Sequence, residues 1–322
     1  MSRSTIKPLL ISRFVVLPAA LLSAMLLASC QGVGSDTPTT ASTVTEGGVE
    51  KSAKTVDWPK IGSPLAADTK REERINQIIA GMSVEEKVGQ IMQAEIQSLQ
   101  PGDVKKYHLG SVLNGGGSMP YRKALPATAD WVKLADELYD ESMDDSDGKI
   151  AIPVIWGTDA VHGHNNVIGA TIFPHNIGLG AARNAELVRK IGEATAREVQ
   201  ATAIDWVFAP TLAVARNDAW GRTYESYAED PSLVAEYSEA MVMGLQGEVG
   251  DSDFLRGEQV IATAKHFLAD GGTWKGDDQG DARISEQELI EIHNAGSPPA
   301  IAAGVQTVMS SFSSWNGVKM HG

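Results

Sequence analysis

The sequence predicts an α/β fold, a (β/α)8 TIM-type barrel that is incomplete at its C-terminus. Three observations lead to this prediction. Short apolar strands alternate with amphipathic helices along most of the 322 residues, which is typical of βα units around a parallel sheet. Polar and aromatic residues follow four of these strands, and the carboxyl ends of barrel strands converge on one site. No G-x-G-x-x-G follows an early strand, so a dinucleotide-binding fold is not indicated.

The elements follow one another in βα order, and about six of eight barrel strands are expected. The predicted strands cover residues 110–113, 152–156, 206–208, 260–263 and 307–309. Four predicted helices cover residues 70–80, 128–143, 184–203 and 231–246. Two more are predicted to begin at capping boxes, one at residues 83–86 and one at residues 285–288. Asn184 and Asp230 are the expected N-caps of two of them, with Pro231 in the first helical position.

The N-terminus predicts export. A basic segment with Arg3, Lys7 and Arg13 precedes an apolar run over 14–28, which is shorter than the roughly 20 residues of a membrane span. This pattern predicts a signal peptide over residues 1–29.

The only cysteine follows at once. Leu27-Ala28-Ser29-Cys30 resembles a bacterial lipobox, so we expect lipidation at Cys30, and Gln31 in the next position suggests the outer membrane, facing the periplasm or the cell surface. A chance cysteine beside a cleavage site is the alternative. Residues 30–56, rich in Ser, Thr and Gly, are predicted to be a flexible tether, and the globular domain is expected over 57–322.

The formal net charge is −14, and removal of a basic leader would make it more negative. An acidic surface disfavours nucleic acids and anionic polymers as partners. It suits a neutral substrate without identifying one.

Charged side chains at the predicted strand ends could hold a sugar. Asp159, Arg222, Lys265 and His266 can form charge-assisted hydrogen bonds with pairs of hydroxyl groups. The aromatic side chains that could cover the apolar sugar faces are Trp156, Trp220, Trp274, Phe312 and Trp315.

Each of these residues also has a structural interpretation. Asp159 could cap a turn, Arg222 could pair with Glu225 or Glu229 on the surface, and tryptophans of this kind are more often in the core.

Five segments, in this order and spacing, resemble glycoside hydrolase family 3 across about residues 57–322. They are 81–90 (GMSVEEKVGQ), 159–163 (DAVHG), 220–226 (WGRTYES), 265–267 (KHF) and 314–317 (SWNG). The chain most resembles the β-glucosidases and exo-β-glucanases of that family.

The resemblance implies that Asp159, Arg222, Lys265 and His266 grip the sugar in subsite −1, and we add Phe312 to these four as a substrate-binding residue. It implies a retaining exo-β-glucosidase that releases terminal glucose from β-glucosides or β-glucan oligosaccharides, with no metal or organic cofactor. The family's nucleophilic aspartate is expected after residue 322 and its acid/base glutamate in a second domain. We therefore assign no catalytic residue within the chain, and we expect these 322 residues to be inactive on an aryl β-glucoside.

Lys265 and His266 are adjacent, and successive side chains of a strand point to opposite faces. Both can enter one pocket only if the backbone is locally distorted, so we expect a cis peptide bond between them.

Two other functions remain open. His162-Gly163-His164 resembles the H-x-H of metal-dependent barrel hydrolases, and Lys265, His266 and His293 could extend such a site. Packed histidines are the favoured interpretation of the H-x-H segment. A non-catalytic, surface-anchored glucan-binding lipoprotein is the second alternative.

Overall fold

The computed structural model describes residues 56–321, and these residues contribute six consecutive parallel strands to a TIM-type barrel. The predicted signal peptide, Cys30 and all of the predicted tether except Val56 lie outside them. The strands are β1 Gln93–Glu95, β2 Ser111–Asn114, β3 Ile155–Thr158, β4 Trp206–Val207, β5 Thr263–Phe267, β6 Asp281–Ala282, β7 Thr307–Ser310, β8 Ser314–Trp315 and β9 Val318–Lys319.

The barrel strands pair in the order in which they occur along the chain. β1, β2, β3 and β4 form one parallel sheet, and β5 pairs with β7. The step from β4 to β5 is made by a parallel bridge between Trp206 and Ile261, where the Val207 N–H donates to the Ile261 carbonyl at 2.8 Å. The short strands β6, β8 and β9 form a separate sheet. In the chain, β6 comes after β5, and β8 and β9 come after β7. The order of the barrel strands confirms the predicted fold class.

Helices lie between the strands, and several of them begin where local signals predict. They are α1 Thr69–Gly81, α2 Val84–Gln90, α3 Asp103–Tyr107, α4 Thr128–Met143, α5 Asn176–Ala182, α6 Ala185–Gln200, α7 Pro231–Gln246, α8 Glu286–Glu288 and α9 Ser297–Ala302, with a π-helical turn over Leu289–His293. Ser83 closes the predicted capping box, since its hydroxyl accepts from the Glu86 N–H and the Glu86 carboxylate accepts from the Ser83 N–H. Asn184 and Asp230 cap α6 and α7 as predicted.

Several elements differ from the prediction, among them α3, α5 and α9, which were not predicted. β1 was not predicted, β3 begins at Ile155 rather than at residue 152, and β5 runs over 263–267 rather than 260–263. As a result Lys265 and His266 lie within the fifth barrel strand and not after it.

The main core lies between the sheet and its covering helices. α6 and α7 pack together closely because Gly192 faces Gly244, and a Cβ added to Gly192 would lie 3.0 Å from the Gly244 Cα. The two helices then bury Val188, Val199 and Leu245 almost completely. α6 and α7 therefore form one closely packed part of the outer helical layer.

A polar cluster joins the amino-terminal ends of three barrel strands. The Trp206 indole N–H donates to the hydroxyls of Thr263 at 2.7 Å and Thr307 at 3.1 Å, and these two hydroxyls lie 2.8 Å apart. The side-chain oxygen of the fully buried Gln246 accepts from the N–H groups of Ala262 and Gln306. These hydrogen bonds therefore connect β4, β5, β7 and α7 at the end of the barrel opposite the carboxyl ends of the strands.

Within residues 56–321, no helix has both the length and the apolar character needed to span a membrane.

Candidate functional site

The carboxyl ends of β3 and β5 bring a lysine and an aspartate together. Lys265 on β5 donates from Nζ to Oδ1 of Asp159, which directly follows β3, at 2.7 Å. The lysine side chain is 4% exposed, whereas the aspartate side chain is 40% exposed. One carboxylate oxygen of Asp159 is held by the ammonium, and the group still faces the solvent side of the strand ends.

The peptide bond between Lys265 and His266 is cis, as predicted, and both side chains reach the same end of the barrel. Lys265 contacts Asp159, while the His266 ring contacts a second set of residues that follow β4 and β5.

Arg222, in the loop between β4 and α7, forms a bidentate ion pair with Glu225. Its Nε and Nη2 donate to the two carboxylate oxygens at 2.8 and 2.7 Å, and Nη2 also lies 3.3 Å from His266 Nε2. The alternative that Arg222 pairs with Glu225 is thus confirmed. The pair does not lie on the surface as expected, because Glu225 is only 9% exposed.

The electrostatics of this pair favour both charged forms. Burial alone would raise the pKa of Glu225, but the hydrogen bonds and charge of Arg222, helped by Lys265, hold that pKa below its usual value. The Glu225 carboxylate in turn raises the pKa of Arg222, against the opposing effect of burial. Both groups remain ionised across the neutral range.

A second buried carboxylate lies on the other side of His266. Asp270, 7% exposed, lies 2.7 Å from His266 Nδ1 through its Oδ2, and its Oδ1 accepts from the Gly271 N–H at 3.1 Å. Glu225, Arg222, His266 and Asp270 therefore form one continuous hydrogen-bonded row across the strand ends.

The predicted aromatic walls divide into two groups. Trp156 and Trp220 are 3% and 2% exposed, so their prediction as sugar platforms is wrong, since a buried ring has no face free for a ligand. The Trp156 indole donates to Asn114, and the Trp220 indole donates to Asp278.

The remaining three aromatic residues lie nearer the surface. Trp274 is 53% exposed and Phe312, which follows β7, is 65% exposed, with its ring edge-on to His321 at 6.0 Å. Trp315 donates from its indole to the Ile284 carbonyl. Phe312 follows β7, the strand that pairs with β5, but it takes no part in the contacts among Asp159, Lys265, Arg222 and His266.

The histidines of the H-x-H segment are packed. His164 is fully buried, its Nε2 lies 2.9 Å from the Thr202 hydroxyl, and burial lowers its pKa to about 4. His162 directs Nδ1 at the Phe173 carbonyl and stacks on His175 with ring centroids 4.0 Å apart. His293 lies in the π-helical turn and is also buried. Among residues 56–321, no three histidine, cysteine or acidic side chains converge as metal ligands would.

Sequence reasoning missed the roles of two carboxylates. Asp270 was one of four loop aspartates, with Asp277, Asp278 and Asp281, none of which the pattern distinguished. Glu225 was considered only as a surface partner. The available signal was spacing, because Glu225 lies three residues after Arg222 and Asp270 four residues after His266.

The arrangement can bind a polyhydroxyl ligand. Two cations, one histidine and three carboxylates lie together at the strand ends, and each carboxylate is already paired: Asp159 with Lys265, Glu225 with Arg222, and Asp270 with His266. The paired groups hold one another in place, so the surface offers a ligand hydrogen-bond donors and acceptors in fixed positions.

Comparison with known proteins decides the family. A family model described as the glycosyl hydrolase family 3 N terminal domain matches residues 83–322. The chain belongs to glycoside hydrolase family 3.

Three family 3 relatives illustrate the similarity. A lysosomal β-glucosidase of Dictyostelium discoideum is 32% identical over 270 residues, which cover 78% of this chain and 32% of the relative. An exo-1,3/1,4-β-glucanase from a Pseudoalteromonas species is 54% identical with a TM-score of 0.80, covering 83% of this chain and 33% of that one. A β-glucosidase from Listeria innocua, solved in complex with laminaribiose, is 26% identical with a TM-score of 0.63, covering 77% and 34%. The chain thus spans about a third of the length of these family 3 relatives.

Proposed function

We propose that the protein is a retaining, exo-acting β-glucosidase that releases terminal glucose from β-linked oligosaccharides or β-glucans. We further propose that Asp159, Arg222, Lys265 and His266 hold that glucose, with Phe312 beside it. The observation that carries the proposal is the meeting of these four polar side chains, from three different strand ends, through contacts of 2.7 and 3.3 Å.

The chemistry of each side chain suits sugar hydroxyls. Asp159 can accept from hydroxyl groups through its exposed carboxylate, and Lys265 has ammonium protons beyond the one that it gives to Asp159. Arg222 is 31% exposed, so part of its guanidinium can face a ligand while Glu225 holds the rest. Charge-assisted bonds of this kind orient a neutral ligand strongly.

We propose that the nucleophile and the acid/base come from outside these 322 residues. A retaining glycosidase needs two carboxyl groups about 5–5.5 Å apart, one acting as nucleophile and one as proton donor. Asp159, Glu225 and Asp270 are each occupied by a cation or by histidine, which supports their role in binding rather than in attack.

Two measurements on two proteins test the proposal. The 322-residue chain is titrated with glucose by calorimetry, and the complete gene product is assayed on aryl β-glucoside and aryl β-xyloside, with and without a chelator. We expect glucose binding without turnover by the chain, and chelator-independent turnover of the glucoside by the complete product. Asp159→Asn should abolish glucose binding, whereas Asp277→Asn, which changes an exposed loop carboxylate, should not.

The other outcomes discriminate between the alternatives. Turnover by the 322-residue chain would disprove the proposal that the nucleophile and the acid/base come from outside these residues. Glucose binding with no turnover by the complete product would instead favour the non-catalytic, glucan-binding alternative. Loss of activity with chelator would favour the metal-dependent hydrolase.

We also propose that the protein is exported and lipid-anchored through Cys30 in the outer membrane. The basic leader, the apolar run and the single cysteine after Leu27-Ala28-Ser29 support this proposal. Expression in a Gram-negative host with a radiolabelled fatty acid should label the protein in the outer-membrane fraction, and Cys30→Ser should remove the label. Equal labelling of the variant would disprove the anchor.

A further inference from the structure

His266 lies between a carboxylate and a guanidinium. Its Nδ1 faces Asp270 Oδ2 at 2.7 Å and its Nε2 faces Arg222 Nη2 at 3.3 Å, so both ring nitrogens already have a partner. The His266 side chain is 11% exposed and that of Asp270 is 9% exposed, which leaves water little access to the Nδ1 side.

The partners determine where the ring proton lies. A guanidinium has only donors, so a hydrogen bond between Arg222 and His266 requires a lone pair on Nε2. An ionised carboxylate has only acceptors, so Nδ1 must carry the proton. The opposite tautomer would set two donors against each other at 3.3 Å and leave a lone pair facing the carboxylate at 2.7 Å.

We propose that Asp270 is a positioning residue that holds His266 as its Nδ1–H tautomer, with Nε2 presented as a hydrogen-bond acceptor. Asp270 is itself fixed, because its second oxygen accepts from the Gly271 N–H. The pairing follows the logic by which a buried carboxylate orients a histidine in hydrolases, where replacing aspartate with asparagine keeps the geometry but gives the wrong tautomer.

The consequence for ligand binding rests on the proposed function. Nε2 has a single lone pair, so a sugar hydroxyl can bind there only by replacing Arg222 Nη2 as the donor. Such a hydroxyl must donate its proton to His266, whereas the neighbouring Lys265 ammonium can only donate to the sugar. The site then contains one acceptor and one donor on adjacent residues, which can discriminate the orientation of a hydroxyl group.

Nitrogen NMR of the histidine rings tests the tautomer without any ligand. The 322-residue chain is labelled with ¹⁵N-histidine, and the His266 signals among the seven histidines are assigned by their loss in His266→Gln. We expect a protonated Nδ1 and an unprotonated Nε2 at neutral pH. In Asp270→Asn the single amide oxygen can serve either the Gly271 N–H or the His266 Nδ1–H, so the Nε2–H form should become populated. Asp278→Asn, which weakens a hydrogen bond to Trp220 in the same region, should leave the His266 signals unchanged.

Calorimetric titration with glucose adds the functional readout. Asp270→Asn should weaken glucose binding about tenfold, the effect of one misdirected hydrogen bond, and Asp278→Asn should weaken it less than about twofold. An Nε2–H tautomer in the unchanged protein, or an unaltered His266 spectrum in Asp270→Asn, would overturn the inference. If the chain binds no glucose, the proposed function fails, and the NMR result still decides the role of Asp270.

Discussion

The ion pair between Arg222 and Glu225 allows a quantitative test of the site's architecture. Glu225→Gln keeps the side-chain shape and one acceptor oxygen but sets an amide NH₂ against a guanidinium N–H. The variant thus loses one of two charge-assisted bonds, worth about 1.5–3 kcal/mol where water is excluded. Since the Arg222 side chain is 31% exposed, solvent recovers part of this. We expect the free energy of unfolding to fall by about 2 kcal/mol at pH 7.

The pH dependence of this difference follows from the lowered pKa of Glu225. A carboxyl group whose pKa is lower in the folded state stabilises the protein above its unfolded pKa of about 4.3 and loses that contribution as pH falls through the folded value. The difference between the unchanged protein and Glu225→Gln should therefore be constant from pH 7 to 5.5 and shrink below about pH 4.

Urea denaturation followed by tryptophan fluorescence at these pH values measures both effects. The control is Glu186→Gln, which removes the exposed pair with Lys190 on α6 and should not change stability measurably. Equal stability of Glu225→Gln and the unchanged protein at pH 7, or a difference that does not shrink in acid, would refute the assignment of this pair as a buried, ionised contact.

Three other substitutions test separate features. Lys265→Met should reduce glucose affinity at least about tenfold by calorimetry, because it removes a 4% exposed ammonium, and an unchanged affinity would contradict its binding role. His164 has a pKa of about 4 when folded and about 6.5 when unfolded, so unfolding takes up a proton and stability falls as pH drops from 6.5 to 4. His164→Gln should show a smaller loss over that interval in urea titrations, and an equal loss would exclude this histidine as a source. Gly180→Ala places a Cβ 1.6 Å from the Tyr227 carbonyl oxygen and should lower the free energy of unfolding by about 3 kcal/mol. Gly116→Ala, with open space around it, should cost far less, and similar losses in the two variants would refute the packing argument.

The elements that sequence reasoning located are those with a local chemical signal. Helix starts are predictable at Ser83, Asn184 and Asp230, because these side chains accept hydrogen bonds from backbone N–H groups only a few residues away. β1 has no such signal. Gln93–Glu95 is short and contains no large apolar residue, and its extended conformation comes from pairing with β2, which is distant in the sequence.

The site was predictable where residue type and strand position coincide. Asp159 directly follows β3, and Lys265 and His266 lie in the carboxyl-terminal half of β5, which is where barrel proteins build their sites. Asp270 is one of several acids in a polar loop, and its spacing from His266 acquires meaning only once the three-dimensional contact is known. Trp156 and Trp220 were candidate sugar platforms, and the structure places both in the core, which was the more frequent alternative for such tryptophans.

The polar cluster at the amino-terminal ends of the barrel strands has a consequence for how this site could be altered. Thr263 and Lys265 lie on the same face of β5, two residues apart, and Thr307 is the register partner of Thr263. A slip of one residue would turn that face away from the barrel interior and carry the lysine with it. The hydroxyl groups of Thr263 and Thr307, at the other end of the strands, therefore help to fix the position of the Lys265 ammonium. Substitutions at those threonines would shift the position of the Lys265 side chain. Changes in ligand preference could therefore arise there while every residue at the carboxyl ends of the strands stays the same.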